Sequence, residues 1–357
     1  MLYRPFGKTG KNISVISFGG MRFSEPKILE KSANSLLYAQ EKGINYFDTA
    51  PIYCGDRSED IFGHAFRQLP RESFYVSSKC SQAKGEDLRK SLERSLQRLG
   101  VNQIDFLYIW HLMNPADWEK RKRHGAIEAA LKAKEEGLIG HLLCSSHMEG
   151  EGLAKVLDEE IFEGVLLGYN AINFPYRQAA VEQAGKQGIG VVTMNPLGGG
   201  LIPQNPEHFA FLKTDTANDV VSAALQFNLS QPAITTALVG FANTQEIDQA
   251  VVAADNFIPY NEKQQQKLQK NIKVSFNGFC TGCGYCLPCP VDIPIPKYLD
   301  SYNQLILTNG NRQAVLDHYR MHWSITPQQA KECISCGACE DRCTQHLPII
   351  QRLAELP

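Results

Sequence analysis

Short runs of β-branched and aromatic residues recur through residues 1–260, each followed by a turn and a stretch whose apolar positions return at helical spacing. Eight runs read as strands: ISVISF (13–18), GINYFDT (43–49), SFYVSSK (73–79), IDFLYIWH (104–111), LIGHLLCSS (138–146), EGVLLGYN (163–170), GIGVVTMN (188–195) and AITTALVG (233–240). Between them, GEDLRKSLERSLQRLG (85–100) puts Leu88, Leu92, Leu96 and Leu99 on one helical stripe. PADWEKRKRHGAIEAALKAKEEG (115–137) reads as one helix with Gly137 as its stop. Strands that alternate with helices pair in parallel, and eight such units predict closure into a (β/α)8 TIM barrel. An open doubly wound sheet is the alternative, but no G-x-G-x-x-G turn follows the first strand.

Near Pro259 the rhythm changes. NEKQQQKLQKNIKVSF (261–276) is polar and predicts a connecting helix, and from Cys280 a compact second unit begins. In that unit two cysteine clusters flank a helical middle, PKYLDSYNQLILTNGNRQAVLDHYR (296–320). The expected fold class is α/β, divided into a barrel over 1–260, a linker helix over 261–278 and a small cysteine-rich C-terminal unit over 279–357.

Composition narrows the function. With 43% hydrophobic and 21% charged residues the chain has the material for a packed core. A net charge of -2 offers no basic excess to displace phosphate counterions, so nucleic acid is not expected as a partner. No apolar run approaches the roughly 18 residues of a membrane span. The opening MLYRPFGKTG lacks the apolar stretch of a secretory signal, so a cytoplasmic, reducing setting is expected.

That setting changes how the cysteines read. Eight of the 11 lie after residue 279, where metal binding rather than disulfide formation is the expected use. Cys280, Cys283, Cys286 and Cys289 are each separated by two residues; Cys333, Cys336, Cys339 and Cys343 follow C-x2-C-x2-C-x3-C. Three thiolates at successive i+3 positions can wrap one face of an inorganic cubane, with a displaced fourth serving a neighbouring cluster. Two four-thiolate zinc sites are the alternative, although zinc does not ask for three cysteines in tandem. The glycines Gly282, Gly284 and Gly337 suit a backbone wrapped tightly round such a core. Residues 279–350 resemble the ferredoxin-like dicluster domain. The resemblance implies two 4Fe–4S clusters, one on Cys280, Cys283, Cys286 and Cys343, the other on Cys333, Cys336, Cys339 and Cys289. Two departures are visible: the last spacing of the first group is x2, and Thr344 stands where a proline is usual. Cys54, Cys80 and Cys144 occur singly and read as buried small hydrophobes.

In a barrel of this kind the chemistry sits where strands end and the next loops begin. Four polar residues fall there: Asp48 in NYFDTA, Tyr53 in PIYCG, Lys79 in VSSKC and His111 in LYIWHL. Together with YRPFGKTGKNISVISFGGMRF, GDRSEDIFGHAF and ALQFNLSQPAITTALVGFANTQEIDQA, this set resembles the aldo-keto reductase family, and the cysteine-rich tail resembles its iron–sulfur branch. The resemblance implies hydride transfer between NADP(H) or NAD(H) and a small carbonyl or alcohol substrate.

A phenol with pKa about 10 is a poor proton donor near neutrality unless a nearby ammonium stabilises its anion. Tyr53 is thus the expected acid/base, Lys79 its electrostatic tuner, Asp48 the partner that keeps Lys79 charged, and His111 the donor that orients the substrate oxygen. By the same resemblance, Ser145, Ser146 and Asn170 would meet the nicotinamide, and Pro196, Leu197 and Gly198 of NPLGGG would border the pyrophosphate. Gly20, Met21 and Gly240 complete the implied cofactor contacts. The sixth-strand glutamine usual in the family is absent, Ala250 stands where an adenine-binding asparagine is common, and VGFANTQEIDQA carries no lysine or arginine for a 2′-phosphate.

Hydride transfer moves two electrons at once, while iron–sulfur clusters pass electrons singly. The appended unit is therefore a structural staple, a conduit to an outside electron-carrier protein, or a redox sensor. The leading expectation is nicotinamide-dependent carbonyl reduction; the alternative is an electron-transfer protein whose barrel is a platform for substrate or partner.

Overall fold

In the computed structural model, residues 1–261, 263, 264, 268, 278–280, 282, 284–343 and 346–357 are described. Cys283 and most of the expected linker helix over 261–278 lie outside them. The chain opens with an antiparallel hairpin, β1 (Tyr3–Pro5) against β2 (Asn12–Ser14). The run ISVISF, expected as one strand, is thereby shared: its first residues complete the hairpin, and β3 (Ile16–Gly19) starts the barrel. Ser14 marks the break by donating its hydroxyl to the Ile16 carbonyl at 2.7 Å.

The other strands are β4 (Tyr46–Asp48), β5 (Tyr75–Cys80), β6 (Ile104–Leu112), β7 (Ile139–Ser146), β8 (Gly164–Gly168), β9 (Gly190–Met194) and β10 (Thr236–Val239). They pair in parallel in chain order, and β10 closes on β3. The expected TIM barrel is present, with each strand found inside its predicted run or within a residue of it.

Phe6, at the hairpin tip, is fully buried and seals the barrel floor against Phe106, 4.7 Å away between ring centroids, and Tyr46 at 6.3 Å. Above it the Tyr46 and Tyr108 hydroxyls meet at 2.7 Å. A Cβ at Gly190 would stand 2.2 Å from the Phe6 ring and one at Gly164 2.6 Å, so both strands must carry glycine there.

The helix Gly85–Leu99 buries Leu88, Leu92 and Leu99 and stops at Gly100, whose φ of 67° is left-handed. The stretch expected as one helix over 115–137 is two, Pro115–Arg123 and Ala126–Glu135. Gly125 (φ 82°) leaves helical geometry to bridge Lys84, a pairing that the periodicity does not reveal.

The C-terminal unit packs the helices Ile295–Leu307 and Arg312–His318, then a π-helical turn, Tyr319–Trp323, around a small core that includes Tyr298, Leu299, Val315 and Leu353. It rests on the barrel rim. The Tyr176 hydroxyl donates to the Pro296 carbonyl at 3.1 Å, Lys297 pairs with Glu149 at 3.2 Å, and the Trp323 ring lies 5.3 Å from that of Tyr176.

At this boundary Asp300 is buried, accepts from Trp323 Nε1 at 2.9 Å, and has no partner for Oδ1 among the described residues. Burial pushes its carboxyl up to about 6, against the pull of the Trp323 hydrogen bond and the Arg177 charge. The folded state therefore holds this proton more tightly than the unfolded chain, and stability falls as pH rises from about 4 through about 6. At about 1.4 kcal/mol per tenfold displacement of the equilibrium, the loss is on the order of 3 kcal/mol. Urea midpoints at pH 5 and pH 7.5 are expected to differ in that sense, and Asp300→Asn to flatten the difference.

Candidate active site

The register of β4 and β5 sets Asp48 beside Ser77, so Lys79, two residues on, turns inward over the same carboxylate. Lys79 and Asp48 are both about 1% exposed. Lys79 Nζ donates to Asp48 Oδ2 at 2.5 Å and to the Thr49 carbonyl at 2.9 Å, and Ser77 Oγ donates to Asp48 Oδ1 at 2.6 Å. Burial pulls the Lys79 pKa down, while the charge and hydrogen bond of Asp48 oppose the loss of its proton.

Tyr53 follows in a loop held in an unfavourable conformation: Ile52, Cys54 and Asp56 have φ of 65°, 54° and 64°. Asp56 anchors that loop through Arg98 at 2.6 Å and Arg94 at 2.5 Å. The result is a Tyr53 ring whose centroid lies 5.0 Å from Lys79 Nζ and 5.6 Å from the edge-on ring of Trp110. The expected lowering of the phenol's pKa by Lys79 is not what this arrangement produces. In the resting site burial, then the Asp48 charge, pushes it up.

His111 sits at an irregularity of the β6–β7 ladder between Ile109 and Leu112, with a φ of 65°. An irregularity of this kind re-aims a side chain. Its Nε2 is buried and has no partner among the described residues. Burial leads in lowering its pKa, so the ring is neutral at pH 7 and able to donate one hydrogen bond. Asp48, Tyr53, Lys79 and His111 thus come together at the C-terminal end of the barrel.

In the second unit, Cys286, Cys289, Cys333, Cys336 and Cys339 line one small cavity with Pro288, Ile293 and Ile334. Cys280 and Cys343 instead both act on the Arg352 guanidinium, and Cys280 Sγ lies 3.3 Å from the Tyr176 hydroxyl. Convergence of thiols on an enclosed space, with left-handed turns at Gly282, Gly284, Ser335 and Gly337, fits sulfur ligation of an inorganic core.

Family comparison decides what this barrel is. The aldo/keto reductase family model matches residues 15–273. The chain belongs to the aldo/keto reductase family. Residues 279–347 match the 4Fe-4S dicluster domain, so this is an aldo/keto reductase-type oxidoreductase carrying an iron–sulfur unit. Among curated relatives, L-galactose dehydrogenase of Arabidopsis thaliana is 27% identical over 281 residues, 70% of this chain and 87% of its own length. The oxidoreductase YrpG of Bacillus subtilis is 23% identical over 304 residues, 71% of this chain and 91% of its own. The holo form of the aldo-keto reductase AKR11C1 from Bacillus halodurans shares the fold, with a TM-score of 0.66 at 21% identity, over 76% of this chain and 96% of that one.

Within this aldo/keto reductase the implied cofactor residues stand apart from one another in their freedom to act. Ser146 donates to the Leu112 carbonyl at 3.0 Å, and Asn170 is taken up by the Asn195 carbonyl and the Ile172 and Asn173 amides. Ser145 is buried at the rim, and its hydroxyl has no hydrogen bond to another of the described residues. Gly20 is packed shut: a Cβ there would stand 2.5 Å from Phe62 and Ser58. Met21 is exposed, Pro196 buried and Leu197 half-buried. Gly198, Gly199 and Gly200 all have positive φ, and Gly199 opens onto free space, as a loop against a bulky phosphate requires.

Gly240 lies under the stem of Arg22, an exposed cation at the same rim. Sequence reasoning missed Arg22, Ser77 and Glu59. It also missed His147, although that residue directly follows the CSS of the fifth predicted strand, and His322, which the other unit delivers.

Proposed function

We propose that the barrel transfers hydride between NADP(H) or NAD(H) and a small carbonyl or alcohol, and that the iron–sulfur unit holds two 4Fe–4S clusters. The observation that carries the hydride reading is the buried Lys79–Asp48 pair beside Tyr53, with the unpartnered Nε2 of His111 at the same rim. The nicotinamide supplies or accepts the hydride. Ser145, Ser146 and Asn170 would hold the nicotinamide, and Gly20, Met21, Pro196, Leu197, Gly198 and Gly240 the rest of the cofactor, with Arg22 as a cation at the same rim.

The protein's part is proton and charge management. His111 Nε2–H donates to the carbonyl oxygen and orients it. Tyr53, kept protonated by its burial, hands its proton to that oxygen as negative charge develops there. Lys79 stabilises the phenolate left behind, and Asp48 and Ser77 keep Lys79 charged and fixed.

In the iron–sulfur unit, Cys333, Cys336, Cys339 and Cys289 would hold one cluster, as four of the thiols that line the shared cavity. Cys280, Cys286 and Cys343, with Cys283, would hold the other, near Tyr176 and Arg352. The staple role is favoured, since this unit's core is small and cysteine-flanked: Cys339 lies within it and five more cysteines pack against it. The test is an anaerobic assay of the full chain with benzaldehyde and either reduced nicotinamide, followed by loss of nicotinamide absorbance. Oxidation of one cofactor in step with alcohol formation supports the reading; no turnover with either removes it.

A further inference from the structure

Where the C-terminal unit meets the barrel rim, histidines from both halves touch. His147 follows β7 and its ring centroid lies 5.2 Å from that of His111; on its other side His322, from the π-helical turn Tyr319–Trp323, lies 5.1 Å away. His318 stacks on His322 at 4.6 Å, but its nitrogens are taken by Ser301 at 2.9 Å and Asp300 at 3.5 Å. Arg177 stands behind the group: it is buried, donates to the His147 carbonyl at 3.0 Å and lies 4.5 Å over the Trp323 ring.

We propose that His147 and His322, backed by Arg177, form a subsite for a carboxylate carried by the substrate whose carbonyl is oriented at His111, so that the iron–sulfur unit helps select the substrate. The proposal rests on the hydride reading above. Three observations carry it. First, among the described residues no carboxylate lies within ion-pairing distance of His147 or His322. The histidine–carboxylate pairs among them are His141–Glu163 and His318–Asp300; the second stands beside His322, with Asp300 Oδ2 already taken by His318 and Trp323. Second, the imidazoles are not set to share a metal: among the described residues no group of three His, Cys, Asp or Glu could hold one ion. Third, burial and the neighbouring cations keep these two imidazoles neutral. Burial first, then His322, His111 and Arg177, holds the His147 pKa well below the ordinary histidine value. His322 is pushed down to about 4 by burial, then Arg177 and His111.

A bound anion is the group that relieves such crowding, since it accepts hydrogen bonds from neutral imidazoles and offsets the guanidinium charge. Two ring-to-ring steps of about 5 Å separate the carbonyl end from His322, the scale of a para-substituted benzene.

The experiment uses the full-length, cluster-loaded protein. Calorimetric titration compares 4-carboxybenzyl alcohol with benzyl alcohol, and turnover compares the corresponding aldehydes. The carboxylated alcohol is expected to bind at least about tenfold more tightly, the scale of hydrogen bonds to a charged group. That advantage is expected to fall below about threefold in His322→Gln and in His147→Asn, each checked for retained cluster absorbance. His147→Asn, confined to the barrel, carries the test if the other variant loses its clusters. No advantage in the unaltered protein, or an undiminished one in the variants, overturns the proposal. If neither aldehyde is reduced yet the carboxylate advantage and its loss persist, the hydride reading falls and the subsite stands.

Discussion

Tyr53→Phe is expected to lower kcat/KM for aldehyde reduction by about 100-fold to 10,000-fold, the range supplied by a positioned general acid. The ring of Tyr53 packs beside Trp110 and faces Lys79, and its oxygen makes no hydrogen bond among the described residues, so phenylalanine should keep the packing and remove only the proton. Thermal unfolding is therefore expected to stay near that of the unaltered protein, which separates a lost proton from a lost fold. Because burial and Asp48 keep the phenol protonated, reduction by the unaltered protein should not fall off with Tyr53 ionisation across neutral pH. Turnover that survives the substitution would remove Tyr53 from the chemistry.

Cys339→Ser is expected to take iron from about eight to about four atoms per chain and sulfide with it, since one 4Fe–4S cluster loses a ligand. Cys339 is 8% exposed, belongs to the small core of the second unit, and shares a cavity with Cys286, Cys289, Cys333 and Cys336. Losing the ligand removes metal-derived folding energy that a core of this size cannot replace. Limited proteolysis should then cut first within 279–357 while 1–260 resists. Iron content unchanged by the substitution, or zinc in place of iron, would remove Cys339 as a cluster ligand.

Much of this was legible in the order of residues, and the limits have physical causes. The barrel was readable because parallel strands buried on both faces appear as continuous apolar runs, and all eight fell where expected. The break at Gly125 was hidden because a bridge to Lys84, 41 positions away, overrides local helical periodicity. The tetrad was readable because strand ends fix which side chains converge. Its charge balance was not: the effect of Lys79 on Tyr53 depends on a 2.5 Å contact with Asp48 that spacing alone cannot weigh. His322 was the hardest to see. Nothing in YRMHW marks it as a neighbour of His147, because the contact spans two units and depends on a π-helical turn.

The hairpin tip has a consequence for traffic. Phe6 stoppers the cylinder from below, so the chemistry proposed for this barrel faces solvent at the opposite end, part of whose rim the iron–sulfur unit covers.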